Sequence, residues 1–111
     1  MSATLGSLNA GAQAGMTTIP LASATGTTYT LNLDELMRRQ LKTSGTATGS
    51  NDIVFTVAAA DAGMWWEMRN DSGQNIVCKL SGQTGVTIAT AKAAVVFYAG
   101  GTDLVRGTAD T

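Results

Sequence analysis

Cys78 is the only cysteine of the 111 residues, and the chain has no histidine. A thiol without an imidazole beside it lacks the usual route to a nucleophilic thiolate, and the commonest general base and metal ligand is missing altogether. Cys78 stands in the apolar run "NIVCKL", which predicts a small buried hydrophobe. The carboxylates offer little more. Asp34 and Glu35 are adjacent, so their side chains diverge, and they suit the start of a helix better than a catalytic pair. Asp52, Asp61, Asp71, Asp103 and Asp110 fall in or near turn-rich stretches, where aspartate serves the backbone. No zinc spacing, phosphate loop or nucleotide fingerprint occurs. The expectation is therefore no catalytic residue, no metal, no cofactor and no enzyme.

What remains is surface character. The stretch "GMWWEMRNDSGQ" places Trp65 and Trp66 side by side in a chain that is only 5% aromatic. Neighbouring side chains of a strand point to opposite faces, so both cannot enter one core. Met64, Trp66 and Met68 form an apolar stripe. Trp65 shares the other face with Glu67 and Arg69. Two readings of Trp65 fit: it packs beneath another layer of the same chain, or it anchors an interface, with Glu67 and Arg69 as its neighbours there.

The elements that must position these residues read mainly as strands. "TYTLNL", "DIVFTV", "MWWEMR", "NIVCKL", "GVTIAT", "AAVVFYA" and "DLVRGT" alternate or run apolar, with Gly-, Ser- and Asn-rich turns between them. "LDELMRRQLK" has helical spacing over one or two turns, and from about residue 39 it reads equally as strand. "SGTATG" and "SGQTG" are alike, but they are too little for a repeat. The pattern predicts an all-β fold, an antiparallel β-sandwich or jelly roll with at most one short helix, over residues 27–111.

Residues 1–26 differ. They carry no charge and few bulky side chains, and Gly6, Gly11, Gly15, Gly26 and Pro20 punctuate them. They predict an extended arm that lies along a partner through Leu5, Leu8, Met16 and Ile19. A cationic start and an unbroken apolar run are both missing, so neither signal peptide nor membrane span is expected. Asn70-Asp71-Ser72 matches a glycosylation sequon, read as chance. Charged residues make up 14% of the chain, against roughly 25% in ordinary soluble domains. Such a surface suits packing against other proteins, and a net charge of −1 gives no electrostatic case for nucleic acid or anionic membrane.

The run "AGMWWEMRNDSGQNIVCKLSGQTGVTIATAKAAVVFYAGGTDLVRGT", residues 62–108, resembles a segment of small virion proteins of tailed bacteriophages. Its marks are a Trp-rich strand ending in "RND", a Gly-bounded hairpin, "GVTIA", an apolar strand and "GTDLVR". With a neutral arm ahead, and no fibre shaft or coiled-coil heptads after it, the chain is similar to capsid decoration, or stapling, proteins of epsilon15-like short-tailed phages. The resemblance implies a jelly-roll cement protein, made in the host cytoplasm and placed on the outer capsid surface. There it would bridge major capsid protein subunits and associate with itself, as a homodimer before a homotrimer. The alternatives are a tail-fibre or receptor-binding knob contacting a host glycan, and a cellular structural or carbohydrate-binding module. The class has interfaces and no catalytic motif, so no functional residue is carried over.

Overall fold

The computed structural model describes residues 17–21, 28–44, 47 and 49–111. Among these residues nine strands, β1 (Thr17–Pro20), β2 (Thr28–Thr30), β3 (Gln40–Ser44), β4 (Asn51–Val54), β5 (Trp65–Arg69), β6 (Ile76–Lys79), β7 (Val86–Ile88), β8 (Ala93–Tyr98) and β9 (Leu104–Arg106), make two sheets. Their orders are β1-β3-β5-β8-β9 and β2-β4-β6-β7. Among the described residues the helical content is one turn, α1 (Leu33–Leu36), and one 3-10 turn at Ala59–Asp61.

The expected two-sheet β architecture is present, but the pairing is not antiparallel throughout. From β1 to β6 the chain crosses to the other sheet after every strand, so neighbours in a sheet are alternate strands running the same way. Thr17 faces Leu41 and Leu41 faces Met68; Thr28 faces Asp52 and Asp52 faces Val77. Each coil of chain thus advances 24 to 27 residues before returning beside itself. Among the described residues only the ladders β5–β8, β6–β7 and β8–β9 are antiparallel. The sheets are therefore mixed, unlike those of a jelly roll. Period-two patterning reports which face a side chain takes and is silent on strand direction, which is why the expectation went astray.

One core lies between the sheets. Ile19, Leu41, Trp66, Met68, Val96 and Tyr98 of the five-stranded sheet meet Ile53, Phe55, Ile76, Cys78 and Ile88 from the other side. Phe55 sets its ring edge-on to Trp66, with centroids 4.8 Å apart, and the Trp66 indole N–H donates to the Leu36 carbonyl at 2.9 Å. The indole thereby buries its large apolar body without stranding its donor. Asn32 caps α1: its side chain accepts from the Glu35 N–H at 2.8 Å, while Glu35 accepts from the Asn32 N–H at 2.9 Å. Glu35 is spent on this capping box and on the Tyr29 hydroxyl, 2.8 Å away.

Residues 17–21 fall inside the segment expected to be an arm, yet they are part of the fold. β1 pairs along β3, and Ile19 and Leu21 are buried in the core. Ile19 is therefore a core residue, because strand alternation turns it inward with Leu41. Leu5, Leu8 and Met16 lie outside the described residues.

Candidate interaction surface

The two tryptophans take opposite sides of β5. Trp66 is fully buried, whereas Trp65 remains 45% exposed on the outer face of the five-stranded sheet. Glu67 and Arg69 share that face, as the alternation requires, and both are half-buried. Strand register then adds residues that the sequence did not single out. Trp65 stands opposite Phe97 of β8, and Phe97 stands opposite Val105 of β9. Val105 is 43% exposed and Phe97 and Val95 are half-buried, so an apolar row crosses three strands on the outside of the sheet. Gly107 lets the chain pass close over this row; a Cβ there would meet Val95 at 3.2 Å and Phe97 at 3.4 Å.

Charge frames the row on one side. The Arg39 guanidinium sits 5.3 Å from the centre of the Trp65 ring, and it donates to the Trp65 carbonyl at 3.4 Å. Gln40 donates to Glu67 at 3.1 Å, and Arg69 pairs with Asp71 at 2.9 Å. The surface is an aromatic and aliphatic strip with a polar rim, the anatomy of a protein-binding patch. In the sequence Trp65, with Glu67 and Arg69, marks the β5 part of this strip, and the apolar run "AAVVFYA" is the one signal for its β8 part, since both faces of that strand are apolar. That Phe97 lands beside Trp65 depends on register, which the sequence does not show.

Within the "GTDLVR" and "RND" runs, Asp103, Arg106 and Asn70 are structural. Asp103 accepts from the backbone N–H of Leu80 at 3.2 Å, of Gly85 at 2.6 Å and of Leu104 at 2.8 Å, tying the β6–β7 turn to β9. Arg106 donates to the Thr87 carbonyl and to Asp110 at 2.5 Å, and Asp110 accepts from the Ala89 N–H at 3.1 Å. These bonds hold the Asp110 carboxyl below the usual carboxylate range, the Arg106 contact first among them. Asn70 is buried and donates to the carbonyls of Gln74 and Ile88, while it accepts from Thr43 and Ser72. Its amide closes a corner of the fold, and the sequon offers no exposed nitrogen.

The chemistry-bearing groups are quiet. Burial pushes the Cys78 thiol up to about 12, which leaves no thiolate at neutral pH. Burial, then the Glu35 hydrogen bond, raises the Tyr29 phenol. Among the described residues no three His, Cys, Asp or Glu side chains gather into a metal-binding cluster. The chain matches no protein-family model, no curated protein and no solved structure.

Proposed function

We propose that this protein is a structural component of a tailed-phage virion, a cement protein on the outer capsid surface that bridges major capsid subunits. The observation that carries the reading is the outward-facing row of exposed Trp65, half-buried Phe97 and exposed Val105 on the five-stranded sheet. A contiguous apolar strip with an aromatic anchor is what a partner surface covers. The sparse charge of the chain supports it, because few ions need be desolvated when large neutral surfaces meet. Each copy can bind weakly and still hold, since a symmetric lattice presents many sites at high effective concentration. The role calls for no substrate and no cofactor.

Co-sedimentation of the purified protein with emptied tailed-phage capsids tests the proposal. Binding of the native protein, lost in Phe97→Ser and Trp65→Ala, is the expected result. Absence of capsid binding together with a specific glycan-array signal would replace it with the tail-fibre or receptor-knob reading, for which Trp65 beside Glu67 would be the contact.

A further inference from the structure

A sheet edge is a row of backbone donors and acceptors ready to pair with another chain, and proteins usually guard it. The edges of these two sheets are guarded very unequally. Along β7, the Gly85 N–H is taken by Asp103, the Ala89 N–H by Asp110 and the Thr87 carbonyl by Arg106. The same clasp draws β9 against β7. On β1, the Leu21 N–H points to Ser44 of β3, so Thr18 and Pro20 turn their backbones outward, and Pro20 has no N–H to offer. β2 is different. The Leu31 N–H donates to Val54 of β4 at 3.0 Å, so Tyr29 also faces β4 while Thr28 and Thr30 direct N–H and C=O away from the sheet. Among the described residues nothing caps these four groups, and β2 contains neither a charge nor a proline.

A second observation lies three residues along the chain. Leu33 is 75% exposed and Met37 66% exposed, the two most exposed large hydrophobics of the described residues. They stand four apart at α1, on one side of the helical turn that leaves β2.

We infer that β2, with Leu33 and Met37, is a homodimer interface, occupied by the same strand of a second copy. The strand is self-complementary about Tyr29. A two-fold axis there sets Thr28 of one copy opposite Thr30 of the other, and each such pair exchanges two N–H···O=C bonds, four in all. The two four-stranded sheets become one continuous sheet of eight strands. Leu33 and Met37, flanking the junction, supply the apolar area that so short a ladder lacks. A net charge of −1 per copy leaves little repulsion between them. The inference goes beyond the proposed function and is independent of the capsid contact, which uses the other sheet.

Light scattering on the full-length chain over a dilution series tests it. The native protein should have dimer mass at high concentration and fall to monomer on dilution. Thr30→Pro removes an outward donor and costs no bond to β4; Leu33→Asp puts an acid where a helix start favours one. Both variants should be monomeric throughout, with a melting temperature unchanged at low concentration, where the native chain is itself monomeric. Val105→Lys, on the five-stranded sheet, should dimerise normally while losing capsid binding. A native protein that is monomeric at every concentration overturns the inference, as does a dimer that survives both variants. A Thr30→Pro monomer that melts earlier than the dilute native chain also overturns it, because the edge would then be covered by the protein's own chain.

Discussion

Asp103 accepts the Gly85 backbone N–H at 2.6 Å, so one carboxylate on the approach to β9 pins the turn that precedes β7 in the opposite sheet. The same side chain takes the N–H groups of Leu80 and Leu104. Asp103→Ala should strip the acceptor from all three and cost about 2–3 kcal/mol, since donors left without a partner inside a fold are expensive. Asp103→Asn keeps one oxygen and should fall between. Chemical denaturation gives the energies, and faster amide exchange at Leu80 and Gly85 would locate the loss.

Gly85 itself should tolerate no side chain. Its φ is +79°, and a Cβ would stand 2.7 Å from the Cys78 carbonyl and 2.6 Å from the Lys79 Cβ. Gly85→Ala is expected to lower stability by about 3 kcal/mol, left-handed strain and backbone clash together. Gly73→Ala, at φ +86° with nothing within 4 Å, separates the two causes and should cost about 1 kcal/mol. Equal losses in the two variants would mean the packing at Gly85 relaxes freely.

The tryptophans should part company on mutation. Trp66→Ala removes a fully buried indole, its bond to Leu36 and its contact with Phe55, a loss of about 3–5 kcal/mol that a chain this small can barely survive. Trp65→Ala gives up an exposed ring and a solvent-facing stack with Arg39, about 1 kcal/mol or less. Melting curves read the first effect. Capsid co-sedimentation reads the second, where Trp65→Ala should be deficient despite its near-native stability.

Acid should loosen the clasp between the sheets. The Asp110 carboxyl titrates below its ordinary range in the folded protein because Arg106 and the Ala89 N–H favour its charged form. A depressed folded-state pKa contributes stability that is present above the unfolded-state value and is lost as pH falls through the folded one. The native protein should therefore weaken as pH drops below the ordinary carboxylate range, and Asp110→Asn should show a flatter acid limb from a lower plateau. Urea midpoints measured across that range check the slope. An unchanged limb in the variant would assign the acid sensitivity to other carboxylates.

The faces of strands were legible in the sequence, and their partners were not. Alternation in "MWWEMR" was enough to send Trp66 inward and Trp65 outward, and the apolar setting of Cys78 was enough to bury it. Asp34 and Glu35 read correctly as a helix start, and the structure adds Asn32 as the cap. Direction and register left no trace, because a hairpin and a crossover to another sheet can use the same turn residues. Hence the parallel ladders, and the meeting of Trp65 with Phe97 and Val105, could not be read. Ile19 was misplaced because small and neutral neighbours hid a strand that the core requires.

The coil spacing of 24 to 27 residues also governs how the chain can acquire its structure. Every parallel ladder closes a long loop before its first hydrogen bond forms, whereas Val77 meets Thr87 and Phe97 meets Val105 across short turns. The fast contacts therefore belong to the two hairpins at the C-terminal side, and the slow ones to β1–β6. A ribosome makes them in the reverse order. Translation delivers strands that have no local partner before the hairpins on which they can condense, so the folding of β1–β5 waits for β6–β9. Pulse-labelled hydrogen exchange should find the amides of β6–β9 protected before those of β1 and β2.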